Sequence, residues 1–452
     1  MTAQRWGVVG GGMLGLTLAL RLREQGHDVV LVEAADRLGG LASAWHLGDV
    51  VWDRHYHVTL LSDVHVRGVL RELGLESEMR WVETKTGYYA NGRLSSVSNS
   101  LEFLRLPSLG LVDKARLATT ILYGSRVRDW QHLEQIPVAD WLTRWSGRRT
   151  FERFWLPLLR AKLGESYREA SAAFIWTTIQ RLYAARRTGL KKEMFGYVPG
   201  GYARILERFA QVLSDRGVEI SLDRPVQSVA RVHGGGERAV HIRLADGDVV
   251  ACDSVVVTAP GNVAARLCHG ITDGERRALE GIRYQGIVCA SLLLRKPLGP
   301  YYLTYLMDDV PFTAVVEMSA FVDRASFGGN ALVYLPKYVA PDDPLFAAPD
   351  DEIEARFVDA LARIYPSFSR DDVLAFRVSR VRQVFAIPTV GYSHTLPPTA
   401  TSVPGVHVVN SAQIVNGTLN VDETVQLADS WAAGVAAGDA DAERSGTAVT
   451  AG

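Results

Sequence analysis

The feature that most constrains this chain is a glycine-rich turn close to its start. A short apolar run, residues 6–9, leads into a glycine triplet at residues 10–12, and leucines then recur at helical spacing as far as Leu22. This order of strand, turn and helix is typical of a dinucleotide-binding βαβ unit, in which bare backbone and a helix N-terminus accept a pyrophosphate. We predict cofactor contacts from Gly10, Gly12, Met13, Leu14 and Gly15.

The second strand of the unit supplies a contact to ribose. The apolar run 29–32 ends in Glu33, about 20 residues after the glycines, where a carboxylate accepts hydrogen bonds from ribose hydroxyls. An acid at this position disfavours a 2′-phosphate, so NADP is a poor candidate and NAD or FAD remains. A glycine-rich turn that binds no ligand is the alternative interpretation, and the complete unit argues against it.

The residues after Glu33 distinguish the two dinucleotides. Arg37 is placed to reach a phosphate, and Gly39 and Gly40 let the backbone approach a ribityl chain and a flavin. With this acid, arginine and glycine pair, the chain resembles the large flavoenzyme family of amine oxidases, protoporphyrinogen oxidase, phytoene desaturases and, more distantly, UDP-galactopyranose mutase. The resemblance covers nearly the whole chain and implies FAD as the cofactor, with neighbouring contacts from Ala34, Leu41 and Ala42.

Later segments resemble other parts of that family's cofactor site. Residues 225–229 and 253–260 are similar to its second FAD-contacting strand and hairpin, and residues 405–425 to the segment that closes over the flavin. Asn410 and Ser411 stand where the family has a Gly-Asp pair, so neutral groups would make that contact. The resemblance implies further cofactor contacts from Val226 (through its backbone, facing the adenine), Thr258, Ala259, Pro260, Asn410, Ser411, Asn420 and Val421.

Two departures from the amine oxidases bear on the chemistry. Amine oxidases commonly carry a lysine that holds water near flavin N5, and the corresponding strand, residues 286–292, contains none. The nearest lysine, Lys296, sits at the end of the strand before Pro297. Simple amine oxidation is therefore disfavoured. The C-terminal flavin segment has no cysteine, so we expect FAD to be bound non-covalently.

Candidate acid and base groups follow the glycine pair. His55, Tyr56 and His57 place two imidazoles and a phenol within a few residues, beside the position that the family gives to the isoalloxazine ring. Imidazoles exchange protons near neutral pH, so we predict a catalytic role for these three residues. In the alternative interpretation, Asp53 and Arg54 form a structural pair and the histidines only satisfy backbone groups.

The stretch from residue 126 to residue 192 is basic, with fourteen Lys or Arg against six Asp or Glu. We predict that Arg160 and Lys162 bind an anion, as do the pairs 186–187 and 191–192, although a solvated helix face would have the same composition. The loop at 197–201 resembles the family's glycine-pair loop beside the cofactor. We expect it to complete the substrate site through Tyr197, Gly200, Gly201 and Tyr202.

The order of these segments predicts an α/β fold with interleaved domains. We expect a Rossmann-like FAD-binding domain of the second glutathione-reductase type, a mostly helical substrate or cap region, an α+β substrate domain and a frayed tail. Their predicted bounds are 1–75, 205–270 and 401–440 for the FAD-binding domain, 76–204 for the helical region, 271–400 for the substrate domain and 441–452 for the tail.

Composition narrows the class of protein. The chain is 47% hydrophobic and 22% charged with a formal net charge of −1, which is typical of a globular protein and gives no sign of nucleic-acid binding. Three widely spaced cysteines predict neither a disulfide framework nor a metal site. The short polar N-terminus and the absence of an apolar run of ~18 residues lead us to expect a cytoplasmic enzyme, with peripheral membrane contact left open.

Three functions remain open from the sequence. The first is transfer of a hydride from a C–H or C–N bond of an anionic small molecule, such as a nucleotide-sugar or a natural-product intermediate, to flavin N5. The second is a desaturase or oxidase of an isoprenoid or other lipid-like substrate at a membrane surface, which an exposed apolar helix face near residues 101–124 would favour. The third is a non-redox flavin-dependent sugar mutase. We rank the first ahead of the others.

Overall fold

The computed structural model describes residues 3–98, 102, 109–187, 194–232 and 238–449. The strands in these ranges are β1 (Arg5–Val9), β2 (Asp28–Val32), β3 (Ala44–Leu47), β4 (Val50–Asp53), β5 (Thr59–Leu60), β6 (Arg80–Glu83), β7 (Thr86–Ala90), β8 (Arg93–Ser96), β9 (Met194–Tyr197), β10 (Glu219–Ser221), β11 (Val226–Arg231), β12 (Val240–Leu244), β13 (Val249–Cys252), β14 (Ser254–Val257), β15 (Tyr284–Leu294), β16 (Leu303–Leu306), β17 (Ala314–Glu317), β18 (Ala331–Val339), β19 (Val373–Ala386) and β20 (Val406–Val408). The α-helices are α1 (Met13–Glu24), α2 (Val64–Glu72), α3 (Leu111–Gly124), α4 (Trp130–Glu134), α5 (Val138–Ser146), α6 (Arg148–Thr150), α7 (Leu156–Leu163), α8 (Ala172–Arg187), α9 (Gly201–Asp215), α10 (Gly261–Leu267), α11 (Asp273–Glu280), α12 (Asp350–Ile364) and α13 (Val421–Val449).

The predicted Rossmann-like domain is built on a parallel five-stranded sheet in the order β10-β2-β1-β14-β20. Its central strands are continuous apolar runs because both faces of the sheet are covered. Val8 and Leu31 pack against the side that carries α1, α2, α9 and α13. Val30 and Val32 pack against the side that carries α10 and the antiparallel sheet β11-β12-β13. Strands from three separate stretches of the chain therefore form one sheet.

Close contact between β1 and α1 depends on a missing side chain. A Cβ atom at Gly15 would lie 1.9 Å from the carbonyl oxygen of Gly10, so only glycine allows the helix to approach the strand this closely. Gly10 itself has φ +110°, a left-handed conformation that other residues rarely adopt. The turn thus keeps its backbone bare where the helix begins.

The substrate domain is a seven-stranded sheet in the order β19-β15-β18-β17-β16-β7-β8. Helix α12 covers one face, where the apolar side chains of β15 and β18 form a core with it. The other face packs against the hairpin β3-β4 and strand β9. This second face looks towards the Rossmann-like domain and carries the candidate site.

One predicted boundary differs from the structure. Residues 76–204 were expected to be mostly helical, but their first part forms β6, β7 and β8, and β7 pairs with β16 of the substrate sheet. Asn91 and Gly92, both at positive φ, form the tight turn between β7 and β8, a favoured hairpin sequence. The helical region itself runs from α3 to α8.

The helical region has its own core and is attached to both sheets. Its buried tryptophans, Trp141 and Trp155, pack within this core rather than facing solvent. A π-helical turn, Phe151–Trp155, leads into α7. Thr313, just before β17, donates a hydrogen bond to the carbonyl oxygen of Ala161 at 3.1 Å and so joins α7 to the substrate sheet.

The C-terminal helix also differs from expectation. Residues 441–452 were predicted to be frayed, but α13 continues to Val449, and residues 450–452 lie outside the described part. The alanine-rich run at residues 432–442 favours helix as far as the start of this stretch. Near its start, α13 is tied to α1 by an ion pair between Arg21 and Asp429 at 2.7 Å. No helix in the described ranges is long and apolar enough to cross a bilayer.

Candidate functional site

Two glycine turns face each other at the end of β1. The amide of Gly39 donates to the carbonyl oxygen of Gly11 at 2.8 Å, and Gly39 and Gly40 both have positive φ. A Cβ atom at Gly12 would meet only the Cα atom of Gly40, at 4.0 Å. Because both turns carry glycine here, no side chain occupies the space between them. We call this space, bounded by bare backbone at the N-terminus of α1, the cradle. Such a site suits a pyrophosphate.

The carboxylate of Glu33 is fixed at the rim of this cradle. It accepts hydrogen bonds from the amides of Gly11 at 2.6 Å and Ala35 at 2.8 Å. A carboxylate has about four acceptor positions, so further positions remain for ribose hydroxyls. Arg37 is half exposed and pairs with Asp36 at 2.6 Å, close to but not inside the cradle.

The other predicted dinucleotide contacts surround the same end of the sheet. The amide of Arg224 donates to the carbonyl oxygen of Glu33 at 2.9 Å, which brings the start of β11, and with it Val226, beside the acid. Thr258 donates to the carbonyl oxygen of Val9 at 2.9 Å, and Ala259 and Pro260 follow it into α10. Three further predicted contacts have buried side chains and would meet a ligand through backbone: Met13, Leu14 and Ala42.

The segment predicted to close over the flavin has unused hydrogen-bond donors. Asn410 is 1% exposed, and its Oδ1 accepts from the amide of Ala412 at 2.9 Å. Its Nδ2, like the Nε2 of Gln413, is buried without a hydrogen-bond partner among the described residues. Buried donors are rarely left unpaired, so an acceptor supplied by a bound flavin fits here. Nearby, Ser411 begins a short 3-10 turn.

The C-terminal helix starts at the end of this segment. Asn420 caps α13, since its Oδ1 accepts from the amide of Glu423 at 3.0 Å. Val421 is the first residue of the helix, so the positive end of the helix dipole lies at this point. Together with the cradle and the rim acid, these residues fit FAD.

His55 is placed as a structural residue rather than an acid or base. Its Nδ1 lies 3.1 Å from the carbonyl oxygen of Leu41, to which it must donate, and its Nε2 lies 3.0 Å from the hydroxyl of Ser379. Arg54 donates to the same hydroxyl at 2.8 Å. Burial lowers the pKa of His55 to about 3, which keeps the ring neutral. Its role is to fix the second glycine turn against the substrate sheet.

His57 is the imidazole that lines a cavity. The cavity is bounded by β4, β9 and the start of α9, and the predicted substrate residues Tyr197, Gly201 and Tyr202 line it too. The Nδ1 of His57 is buried without a hydrogen-bond partner among the described residues and lies 3.6 Å from Asp53. Gly200, at φ +91°, forms the turn that leads into α9.

Asp53 holds these elements together. Its Oδ1 accepts from the amide of Tyr202 at 2.7 Å, at the start of α9. A Cβ atom at Gly201 would lie 2.7 Å from the same oxygen, so glycine is required for this approach. The predicted pair of Asp53 with Arg54 does not form, because Arg54 bonds Ser379 instead.

Tyr56 belongs to a pair of phenols that includes a residue not predicted from the sequence. Its hydroxyl lies 3.0 Å from that of Tyr338 on β18, and burial raises the pKa of Tyr56 far above its usual value. The ammonium of Lys162 lies 3.8 Å above the ring of Tyr338 and 5.0 Å from the ring of Phe385. Side chains alternate between the two faces of β18, and this alternation could have predicted that Tyr338 lies on the face of the candidate site.

The two cations predicted to bind an anion are separated by the helix that carries both. Residues two apart on a helix point in different directions. Lys162 faces the phenols, whereas Arg160 is half exposed and pairs with Glu165 at 3.0 Å. Of the two, only Lys162 lies in the candidate site. The predicted cations at 191–192 lie outside the described residues, as do the side chains at 186–187.

Comparisons with known proteins show the family to which the chain belongs. The family described as flavin containing amine oxidoreductase matches residues 14–426. Coproporphyrinogen III oxidase of Mycobacterium tuberculosis is 28% identical over 440 residues, which cover 88% of this chain and 92% of that protein. Zeta-carotene desaturase of Synechocystis sp. is 23% identical over 461 residues, 90% of this chain and 92% of that protein. Wild-type putrescine oxidase bound to putrescine has a similar fold, with a TM-score of 0.74, 16% identity and coverage of 96% and 99%.

Replacement of Gly12 by leucine should remove the cofactor and keep the fold. Gly12 has φ −73° and ψ 174°, which any residue adopts, so the new side chain would fill the cradle without backbone strain. We expect FAD occupancy to fall at least about tenfold, since a blocked site loses more than 1.4 kcal/mol of binding free energy. The absorbance ratio of flavin to protein measures it. Gly68→Leu, in open space on α2, is the control and should keep full occupancy.

His55→Gln should reduce the pH dependence of stability. The unfolded chain binds a proton at His55 below about pH 6.5, whereas the folded chain stays neutral down to about pH 3, so stability falls as pH falls through this window. Glutamine remains neutral and can bond both partners. Between pH 6.5 and pH 5 the parent protein should lose about 2 kcal/mol more unfolding free energy than the variant, as measured by urea denaturation.

The exposed residue His269 provides the control for this comparison. His269→Gln should leave the pH dependence of the parent unchanged. If His55→Gln also follows the parent curve, His55 is protonated in the folded protein and the assigned hydrogen bonds are wrong.

Proposed function

Because the chain belongs to the flavin-containing amine oxidoreductase family and is an FAD-dependent oxidoreductase, we propose that it oxidises a C–H or C–N bond of an anionic small molecule. The observation that carries the choice of an anion is Lys162. Among the described residues it has no carboxylate within 4.0 Å, and it lies against two aromatic rings beside the paired phenols. A cation held in this way attracts an anionic substrate and repels a protonated amine.

Different residues around the cradle would contact different parts of the cofactor. Gly12 and Gly40 would admit the pyrophosphate, Glu33 the ribose, and Asn410 the flavin side. FAD, when bound, supplies a hydride acceptor at N5. The protein supplies orientation, charge and exclusion of water.

We propose that His57 accepts the proton that the substrate loses on oxidation. Oxidation of a single bond to a double bond removes a hydride from one atom and a proton from its neighbour, and the proton needs an acceptor. His57 lines the cavity, and Asp53 lies 3.6 Å from its Nδ1, where it can stabilise the imidazolium that forms. Burial raises the pKa of Tyr56 far above its usual value, so it remains a protonated phenol. The hydroxyl that accepts in the hydrogen bond between Tyr56 and Tyr338 can donate its own O–H to a substrate oxygen.

A porphyrinogen is the first substrate class to test. The relative from Mycobacterium tuberculosis is named for coproporphyrinogen III, a molecule whose carboxylates would meet Lys162 and whose ring C–H and N–H bonds supply a hydride and a proton. This inference concerns the class of substrate. An anionic natural-product intermediate of other structure would use the same groups.

A lipid-like substrate is the second candidate, and one surface favours it. Helix α3 exposes four apolar side chains at spacings of one and eleven residues, which lie on one face: Leu111, Val112, Leu122 and Tyr123. Leu111 is 78% exposed. The similarity to zeta-carotene desaturase agrees with this alternative. The rest of the apolar segment predicted from sequence, up to residue 108, lies almost wholly outside the described residues.

Anaerobic reduction distinguishes these substrates. The holoenzyme is mixed with coproporphyrinogen III, putrescine or a detergent-dispersed carotene, and bleaching of the flavin band is followed by stopped flow. We expect the porphyrinogen to bleach the flavin at least about 100-fold faster than putrescine, because a buried like charge costs several kcal/mol. Bleaching by putrescine alone would contradict the proposal, and bleaching by the carotene alone would favour the lipid alternative.

Lys162→Met should weaken binding of an anionic substrate more than it slows turnover. Loss of one charged contact costs about 1.5–3 kcal/mol, so KM should rise about 10- to 150-fold while kcat changes little. Arg160→Met is the matched control, from the same helix with the same loss of charge, and should leave KM unchanged because Arg160 pairs with Glu165 at the surface. Equal effects of the two variants on KM would remove Lys162 from the site.

A further inference from the structure

A second cleft lies on the opposite face of the seven-stranded sheet. It encloses about 230 Å³ between β18, α12 and the loop after β16. Side chains alternate along β18: Lys337 is paired with Val288 on the face that α12 covers, whereas Tyr338 is paired with Ile287 on the face of the candidate active site. The cleft is therefore separated from the proposed active site by the thickness of the sheet.

The lining of this cleft carries an excess of positive charge. It consists of Lys337, Arg356 and Arg363, with Asp309 as its acid and Val310 and Pro311 completing the wall. Within the described ranges, none of the three cations has a carboxylate within 4.0 Å. Three like charges around one cleft repel each other unless an anion lies between them.

Two acids of α12 pair with arginines outside the cleft. Asp359 lies between the two arginines on α12, but its carboxylate pairs with Arg370 at 2.7 Å. Asp350, at the start of α12, pairs with Arg380 at 2.6 Å. Two arginines of α12 thus line the cleft, and the residues that line it include no carboxylate of this helix.

The geometry of the cations suits a single small ligand. Arg356 and Arg363 are seven residues apart, about two helical turns, and so lie on one face of α12. Lys337 rises from the sheet beside them and is half buried. Burial lowers the pKa of Lys337, and Arg356 lowers it further, against the opposing effect of Asp309 and Asp343. An anion bound in the cleft would stabilise the charged form of Lys337 against both its burial and its repulsion from Arg356.

We propose that this cleft binds the phosphate group of a small molecule. A phosphate monoester carries a charge of about −1.5 to −2 at neutral pH, which matches the excess of three cations over one carboxylate. Guanidinium groups bind phosphate oxygens in pairs, and an ammonium adds a point charge. At the ~30 Å³ that a water molecule occupies, the cleft has room for the phosphate and for part of the molecule that carries it.

Isothermal titration calorimetry on the FAD-loaded protein tests this site, with inorganic phosphate and glycerol 3-phosphate as the probes. FAD in the cradle keeps the probes out of the dinucleotide site. We expect one saturable site, at least tenfold weaker binding in the double variant Arg356→Gln/Arg363→Gln, and severalfold tighter binding in Asp309→Asn, which removes the opposing carboxylate. The heat of binding does not depend on turnover, so the result is independent of whether the proposed function is correct.

Arg277→Gln provides the control, because it removes one positive charge from the exposed side of α11, a helix that packs against the core of the Rossmann-like sheet and does not line the cleft. Its affinity for both probes should equal that of the parent. The proposal is overturned if neither probe gives saturable heat, or if the double variant and Asp309→Asn bind as the parent does. FAD content and circular dichroism establish that each variant is folded. If the double variant does not fold, the affinity of Asp309→Asn for the probes still tests the site.

Discussion

The hydrogen bond from the amide of Gly39 to the carbonyl oxygen of Gly11 is the contact on which the candidate site depends. It holds two turns of bare backbone face to face at the end of β1. From the second turn, the carbonyl oxygen of Leu41 binds His55, and His55 binds Ser379 on β19. A single series of hydrogen bonds therefore runs from the cofactor cradle into the substrate sheet and fixes their relative position.

This arrangement explains why two neighbouring histidines differ in character. His55 is buried within the series, and this burial, together with the neighbouring His57 and Arg54, lowers its pKa to about 3. His57 lies two residues later in the loop between β4 and β5 and lines the cavity, and its Nδ1 lies 3.6 Å from the carboxylate of Asp53. The first imidazole therefore holds the glycine turn against the sheet, and the second is the one to which we propose to assign proton transfer.

The sequence predicts the parts of the site that are local. The βαβ unit, Glu33 and the glycine pair lie within the first forty residues, and their spacing indicates their role. Ser379 and Tyr338 could not be placed in this way, because they meet His55 and Tyr56 across more than 280 residues of chain. Only the tertiary fold shows that His55 is buried. Other errors were avoidable: the Asn91-Gly92 turn predicts a hairpin, and helical geometry separates Arg160 from Lys162.

In the function that we propose, substrate specificity depends on the position of Lys162. Strand β15, where the sequence lacks the lysine of amine oxidases, is buried along its whole length and offers no charge to a substrate. The ammonium comes instead from α7, in the helical region, and α7 is attached to the substrate sheet through Thr313. The amide of Tyr338 also donates to the hydroxyl of Thr313 at 3.3 Å. One threonine thus positions both the cation and the phenol beneath it, so the selectivity that we propose is set where the helical region meets the sheet, while the cofactor cradle is left unchanged.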